Sequence, residues 1–243
     1  MHRFIINPDE ISGDKAPLSA AESVHALRVL RLKTGDRVQA LDGRGRAWNA
    51  SILVEDGNAF VELISEADIT EAPIKVTLYM GLPKGEKLEF IAQKLTELGA
   101  SAIVPVRMER CVAKIAPSEA EKKLSRPRRI ALEAQKQSGR SVMPKITDPV
   151  DMARLNELIR AHDKVFLLWE EARGYRLTDA KNELGELNDI GFIVGPEGGI
   201  SQKEADKLIS AGAVPITMGP RILRAETAAV AGCAAIMTLW GDL

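Results

Sequence analysis

The spacing of hydrophobic and polar positions changes near residue 70, and this change divides the chain into two parts. In the first part, residues 36–54 ("DRVQALDGRGRAWNASILV") alternate polar and apolar side chains around an Asp-Gly turn, which predicts a β-hairpin. Residues 59–67 ("AFVELISEA") predict a further strand. The first part is therefore predicted to be a small β module.

A short helix is predicted before the hairpin, with Ser19 as its N-cap and Glu22 three residues later. The apolar stripe expected to face the core of this module consists of Val24, Leu27 and Leu30. The basic side chains left on its outer side are Arg28, Arg31 and Lys33. The acidic segment 66–75, which contains Pro73, is the best candidate for a linker and divides the chain into domains 1–72 and 73–243.

The second part alternates between strand and helix patterns. Residues 74–82 ("IKVTLYMGL") form a nearly continuous apolar run, typical of a strand buried on both faces. The repeated strand–helix pattern predicts an α/β domain with a mostly parallel sheet. A helix over 118–140 is expected to break near Pro127, and the closing helix is expected to start near Arg224.

Composition excludes several classes of protein. Two cysteines and three unpaired histidines cannot supply a disulfide framework or a typical zinc site, so no metal is expected. The most apolar segment, 227–241, is shorter than the roughly 20 residues that cross a bilayer, and the first residues lack a signal peptide's apolar core. We therefore expect a cytoplasmic protein with no membrane partner.

The net charge of −1 conceals an uneven distribution. Residues 107–145 carry a net charge of +7, and residues 22–50 carry +3. Such asymmetry favours a polyanionic partner. Two solvated basic faces would explain the charges equally well.

Three predicted strands end unusually, in the segments 167–171 ("LLWEE"), 193–199 ("IVGPEGG") and 216–228 ("ITMGPRILRAETA"). Ligands of open parallel sheets lie beyond the carboxyl ends of strands. Gly195 and Gly219 each precede a proline, and these two turns are predicted to end neighbouring strands and to form facing walls of one pocket. The glycines allow a sharp turn or a close approach.

The known nucleotide-binding loops are absent from these strand ends. The chain has no G-x-G-x-x-G after the first strand of the α/β part, no phosphate-binding G-x-x-x-x-G-K-[ST] and no G-x-S-x-G elbow. These absences count against dehydrogenases, nucleoside triphosphatases and hydrolases. Backbone turns and apolar strand ends suit a ligand with an adenine ring and a small polar tail.

Segments 194–201 ("VGPEGGIS") and 218–228 ("MGPRILRAETA") resemble the SPOUT superfamily of S-adenosylmethionine-dependent RNA methyltransferases. Within it, the chain resembles the small-subunit (16S) rRNA uridine-N3 methyltransferase family from near residue 2 to its C-terminus. The further matches are "HALRVLRLKTGD" (25–36), "QKLTELGA" (93–100) and "EAQKQSGR" (133–140).

The resemblance implies an N-terminal PUA-like, RNA-binding β-barrel (1–72) and a C-terminal SPOUT domain (73–243) with a parallel sheet and a trefoil knot. It implies a homodimer that uses S-adenosylmethionine to methylate N3 of a uridine in 16S rRNA, within the 30S ribosomal particle. Two alternatives stay open: a SPOUT enzyme with another RNA target, and an RNA-binding ribosome assembly factor without catalysis.

The resemblance also implies site residues. The expected cofactor-binding residues are Leu168, Trp169, Glu170, Val194, Gly195, Pro196, Glu197, Gly198, Gly199, Met218, Gly219, Arg221, Ile222 and Leu223. The chain departs from the family pattern at Met218, often leucine in the family, and at Ala225, often threonine. Expected RNA contacts are Arg3, His25, Arg28, Arg31, Arg107, Arg110 and Arg140. Alternatively, Arg140 belongs to a dimer contact, Arg107 and Arg110 reach the active site, and His25 is a partly buried histidine with its hydrogen bonds satisfied.

Arg224 is the main catalytic candidate, because a cation at a helix start can stabilise a uridine anion. Alternatively, it pairs with Glu226 or Glu197. Glu226 is a second catalytic candidate, as a general base, but a carboxylate between arginines has a low pKa and makes a poor base. Glu197 could orient an amine of the substrate or cofactor, or cap the helix that begins at Ser201.

Overall fold

The computed structural model describes residues 1–243, which form two compact units. The first comprises Met1–Glu71 with Gln135–Met143, and the second comprises Ala72–Ala134 with Pro144–Leu243. The segment Gln135–Met143, which the sequence pattern placed in the second domain, thus groups with the first unit.

The first unit is built on a five-stranded sheet in the order β1-β3-β4-β5-β2. Its strands are β1 (His2–Ile5), β2 (Lys15–Pro17), β3 (Arg37–Leu41), β4 (Ala47–Glu55) and β5 (Asn58–Glu66). The predicted hairpin is confirmed as the antiparallel pair β3–β4, whose turn is held by the Asp42 carboxylate accepting the amides of Arg44 and Arg46. A bridge between Ile6 and Leu18 joins the two edges of the sheet, which therefore closes on itself.

The predicted helix is present but short. Helix α1 (Ala20–Val24) begins after Ser19, whose hydroxyl accepts the amide of Glu22 at 3.2 Å, as predicted. The chain then continues into a π-helical turn over His25–Val29. The predicted apolar stripe is wrong at Val24, which is 49% exposed while Ala26 is buried. The wider π turn rotates the buried face away from the position that an α-helical spacing predicts.

The second unit is a six-stranded sheet in the order β11-β9-β10-β6-β7-β8, and every strand pair in it is parallel, as the sequence predicted. Its strands are β6 (Lys75–Gly81), β7 (Ala102–Val106), β8 (Lys145–Ile146), β9 (Lys164–Leu168), β10 (Asp189–Val194) and β11 (Ala213–Ile216). The helices that alternate with them are α2 (Lys87–Glu97), α3 (Ala120–Ser138), α4 (Met152–Ile159), α5 (Leu177–Leu184), α6 (Gln202–Ser210) and α7 (Ala225–Trp240). None of the helices has the length and apolar character needed to span a membrane.

Helix α3 runs through Pro127 without interruption, so the predicted break is wrong. An interior proline removes one helical hydrogen bond and costs about 3 kcal/mol. Pro127 lies on the buried face of this helix, together with Leu124 and Ala131. Packing of this face offsets the lost hydrogen bond.

The two Gly-Pro turns do not end neighbouring strands, contrary to the prediction. Strand β9 lies between β10 and β11 and pairs with both of them. The spacing of 24 residues between Gly195 and Gly219 is consistent with one crossover. It does not reveal that β9, which comes earlier in the chain, lies between β10 and β11 in the sheet. The three unusual strand ends are therefore adjacent in the order β11, β9, β10.

Candidate functional site

A cavity of about 1270 Å³ lies at the carboxyl edge of the parallel sheet, beyond β9, β10 and β11. All fourteen residues predicted to bind a cofactor line it, and Arg224 does so as well. The lining residues that were not predicted as cofactor-binding or catalytic are Lys87, Arg173, Gly174, Arg176, Thr178, Asp179, Thr217, Pro220, Ala225 and Ala228. The three strand ends thus form one pocket.

The loop after β10 is tightly packed, and its glycines make room for other parts of the chain. A Cβ atom on Gly198 would lie 2.9 Å from the Cβ of Arg110 and 3.0 Å from its carbonyl oxygen. A Cβ on Gly199, whose φ is +71°, would meet the carboxylate of Glu170. Pro196 lies so close to Gly81, at the end of β6, that a Cβ there would be 2.5 Å from the proline ring. What comes close to these glycines is the protein itself.

The loop after β11 is open by contrast. Gly219 has a φ of +106°, yet a Cβ on it would meet nothing within 4 Å. Ile222 is 85% exposed, which is unusual for an isoleucine. The loop is anchored at its start, where the Thr217 amide donates to the carbonyl of Tyr175 at 3.0 Å. The middle of this loop lines the cavity, but at Gly219 and Ile222 it does not pack against the rest of the protein.

Lys87 is a charged residue of the site that sequence reasoning missed. Its ammonium lies 3.0 Å from Glu197 and 3.1 Å from Glu226, so one cation joins both carboxylates. The contact with Glu197 raises the pKa of Lys87 most, and the contact with Glu226 raises it further. A signal existed, since Lys87 starts a helix just after β6, at the sheet edge where ligands bind.

The contacts of Glu197 decide between the two roles that the sequence left open for it, orienting an amine or capping the next helix. The helix that follows is capped by Ser201 and Glu204, which form a capping box, so Glu197 is not its cap. Burial raises the pKa of Glu197, but the amide of Lys84, at 3.0 Å, and the ammonium of Lys87 outweigh burial, so the pKa is lowered. Glu197 is held as an ionised carboxylate.

Arg224 forms the N-cap position of α7, and its side chain is exposed. It does not pair with Glu226 or Glu197, and both carboxylates pair with Lys87. Burial raises the pKa of Glu226, but the helix amide, Lys87 and Arg224 together lower it. Glu226 is therefore an ion-paired carboxylate, which makes a poor general base.

Three of the predicted RNA contacts in the first unit are exposed and form no side-chain hydrogen bond or ion pair: His25, Arg28 and Arg31. Arg31 has a φ of +57°, an uncommon conformation for a residue with a side chain. It directly follows the π-helical turn and Leu30. Such turns and strained residues concentrate at functional sites.

The other two predicted RNA contacts of the first unit, Arg3 and Arg140, bind to groups of the protein itself. Arg3 donates to the carbonyls of Lys136 and Gln137, at 3.0 and 2.9 Å. Arg140 is 4% exposed and pairs with Glu71 at 2.8 Å, so it is not accessible to a phosphate, and we assign it a structural role.

Of the two predicted RNA contacts in the second unit, Arg107 and Arg110, only Arg110 contacts a cavity loop. Arg107 is half-buried and donates to the carbonyls of Ile115 and Pro149. Arg110 is exposed and donates to the carbonyl of Gly198 at 3.2 Å. Both hold loops together, and only Arg110 also has a solvent-facing position.

No group of three or more histidine, cysteine, aspartate or glutamate side chains could hold a metal ion.

Comparison with known proteins identifies relatives across both units. The family model described as "RNA methyltransferase domain" matches residues 70–237, and the one described as "RNA methyltransferase PUA domain" matches residues 18–64. The chain is 32% identical to ribosomal RNA small subunit methyltransferase E of Bacillus subtilis, over 97% of this chain and 96% of the relative. It is 34% identical to the same-named protein of Synechocystis, over 98% of this chain and 78% of the relative.

A solved structure is similar over the whole chain. It is a ribosomal RNA small subunit methyltransferase E from Neisseria gonorrhoeae bound to S-adenosyl methionine, with a TM-score of 0.88 and 33% identity. The similarity covers 100% of this chain and 99% of that one.

Proposed function

The chain belongs to the ribosomal RNA small subunit methyltransferase E family, and from this premise we propose the reaction that it performs. It is an S-adenosylmethionine-dependent rRNA methyltransferase that contains a PUA domain in addition to its α/β domain. Its target in our proposal is N3 of a uridine in 16S rRNA, within the assembled 30S particle. The observation that carries the proposal is the cavity at the carboxyl edge of the parallel sheet, formed by the loops that follow β9, β10 and β11.

The residues of this cavity fit S-adenosylmethionine. The cavity is large enough for a drug-sized ligand, since such pockets typically measure roughly 300–1,000 Å³. Its inner wall combines apolar strand ends, Leu168 and Val194, with backbone groups of the glycine-rich loops, a donor set that suits an adenine ring with a polar tail. When bound, this cofactor supplies an electrophilic methyl group on a sulfonium.

The chain must favour the uridine anion, because N3 loses a proton before or during methyl transfer. Arg224 is placed for this role: the residue lines the cavity, is exposed and has no ion-pair partner. A well-placed donor of this kind typically contributes about 10²–10³-fold to the rate. Glu226 is not proposed as the base, because Lys87 already binds its carboxylate.

The RNA surface of the first unit is proposed to include His25, Arg28 and Arg31, whose side chains are exposed and form no hydrogen bond or ion pair. Only 4% of the residues are aromatic, so stacking on single-stranded bases contributes little. Recognition of phosphates and shape suits a structured RNA, such as that of the 30S particle. This binding should weaken as salt is raised.

We extend the proposal to a homodimer. Helix α7 (Ala225–Trp240) contains a single charged residue, Glu226. Several of its small or apolar side chains remain partly exposed: Ala228, Val230, Ala231, Ala234, Ala235 and Leu239. A second copy of the chain would cover this face, as apolar surfaces of this kind mark interfaces.

The proposed trefoil knot involves the same segment of chain. After the edge strand β11, residues 217–224 run along the cavity at the ends of β9 and β10, and α7 then packs against β6 and β10. A chain that returns across its own loops in this way is compatible with a knot, which is rare among folds.

The reaction is tested with 30S subunits from a strain that lacks this protein. Purified protein and labelled S-adenosylmethionine should place one methyl group on 16S rRNA, recovered as 3-methyluridine by mass spectrometry after nuclease digestion. Another methylated nucleoside would redirect the proposal to a different target. Cofactor binding by calorimetry without methyl transfer to any RNA would instead support an assembly factor.

A further inference from the structure

Lys87 connects three segments that approach the cavity from different parts of the sheet. It is the first residue of α2, whereas Glu197 lies in the loop after β10 and Glu226 lies in the first turn of α7. Its Nζ is 3.0 Å from Oε1 of Glu197 and 3.1 Å from Oε2 of Glu226. One ammonium therefore links the loop after β10 to helix α7, which follows the loop after β11.

All three groups are charged in this arrangement. Burial raises the pKa of both carboxyl groups, yet backbone amides and Lys87 outweigh burial and leave each pKa below its ordinary value. The pKa of Lys87 is raised by the same two contacts. Without Lys87, two ionised carboxylates would stand together at a half-buried site, and each would attract any cation within reach.

Arg224 is such a cation: it lines the cavity together with Lys87 and Glu197 and lies two residues before Glu226, and its charge helps to lower the pKa of that carboxyl. We propose that Lys87 is a positioning residue: by binding Glu197 and Glu226, it leaves the Arg224 guanidinium unpaired and directed to the substrate. This inference rests on the proposed methyl transfer, in which Arg224 stabilises the uridine anion.

Lys87 does not act as a base in this arrangement. Its raised pKa keeps it an ammonium, which has no lone pair to accept a proton. It acts on the reaction through Arg224. Removing a carboxylate should therefore compensate for the loss of Lys87, which would not be the case if Lys87 itself touched the substrate.

The compensation is measured by single-turnover methylation of 30S subunits at saturating cofactor. We expect Lys87→Met to slow the reaction by about 10- to 100-fold, the scale of a misplaced catalytic group. Lys87→Arg should keep most of the rate, because a guanidinium can also bind two carboxylates. Lys87→Met combined with Glu226→Gln should recover at least about tenfold over Lys87→Met alone, because Arg224 then has one carboxylate fewer to bind.

Lys94→Met is the matched control. Lys94 lies on the same helix with a similar exposure, 34% against 30% for Lys87, but it pairs with Glu97 and does not line the cavity. Its removal should leave the methylation rate unchanged. Thermal unfolding of each variant shows whether a slow variant is simply less stable.

A second readout does not depend on activity. Carbon-13 NMR titration of labelled glutamate, with Glu226 identified by its absence in Glu226→Gln, is made in an Arg224→Ala background, where no arginine can replace the lost ammonium. There Lys87→Met should raise the pKa of Glu226, since it removes an opposite charge. An unchanged titration would contradict the ion triad.

The failure of this inference differs from that of the proposed function. A wild-type protein that neither binds S-adenosylmethionine nor methylates 30S subunits would overturn the function, whatever the titration shows. A wild type that works, with Lys87→Met at the same rate, would overturn the positioning role. The positioning role would also be overturned if Lys87→Met combined with Glu226→Gln were as slow as Lys87→Met alone.

Discussion

The two Gly-Pro loops of the cavity share a sequence pattern but differ in how they are held. The loop after β10 is surrounded on three sides, by Gly81 of β6, by the backbone of Arg110 and by the carboxylate of Glu170. The loop after β11 has empty space around Gly219 and leaves Ile222 85% exposed. One wall is fixed by packing, whereas the other is fixed mainly at its ends.

This difference indicates a division of labour between the walls. A packed wall holds a small ligand in one orientation, because close-packed groups have little freedom to move. An open wall that carries Arg221 and Arg224 can meet a large, negatively charged partner. We therefore expect changes in the wall after β10 to act on folding and cofactor binding. Changes in the wall after β11 should act on turnover.

Arg224→Ala should have the largest effect. We expect turnover on 30S subunits to fall by about 100-fold or more, the effect of losing one donor that stabilises developing charge. Calorimetry should find cofactor affinity nearly unchanged. Near-normal turnover, or an equal loss of cofactor affinity, would remove Arg224 from catalysis and erase the distinction between the walls.

Gly81→Ala tests the packed wall. The added Cβ would lie 2.5 Å from Cδ and 2.6 Å from the backbone nitrogen of Pro196, so the proline loop must shift. Overpacking of this kind costs about 1–3 kcal/mol of unfolding free energy, measurable by urea denaturation. Gly198→Ala, whose closest contact would be 2.9 Å, should cost less. Wild-type stability of Gly81→Ala would show that the wall is not tightly packed.

Much of this arrangement could be predicted from the sequence. The parallel sheet, the cap at Ser19 and the start of the last helix follow from local patterns of two to twenty residues, and the structure confirms them. The family resemblance identified the fourteen predicted cofactor-binding residues and Arg224, all of which line the cavity. These features depend on residues close together in the chain.

What sequence reasoning missed depends on contacts between distant residues. The order of β9, β10 and β11 is a property of pairing, and no spacing within a loop encodes it. The triad of Lys87 joins residues more than 100 positions apart. Arg140 resembled a surface cation in a basic stretch, but its burial depends on Glu71, about 70 positions away.

Gly219→Ala tests the open wall with a matched control. Gly219 and Gly212 have φ angles of +106° and +112°, and a Cβ on either would meet nothing within 4 Å. Each change to alanine should therefore cost about 1–2 kcal/mol of stability, from backbone strain alone. Gly219 lines the cavity and Gly212 does not, so only Gly219→Ala should also alter turnover. Equal behaviour in both assays would mean that the conformation of this loop does not matter to the site.

The smallest effect is expected from acid, and it concerns the ion triad that links the walls. Glu197 and Glu226 have lowered pKa values in the folded protein, so their contribution to stability is present above their ordinary value of 4.5. It is lost as the pH falls through the lowered values, because protonation breaks the contacts with Lys87. The contribution of these partly exposed pairs is below about 1 kcal/mol. Denaturation of Glu197→Gln between pH 6 and pH 3, compared with the wild type, should show a smaller loss of stability with acid. A parallel loss in both proteins would mean that Glu197 is not held as an ionised carboxylate.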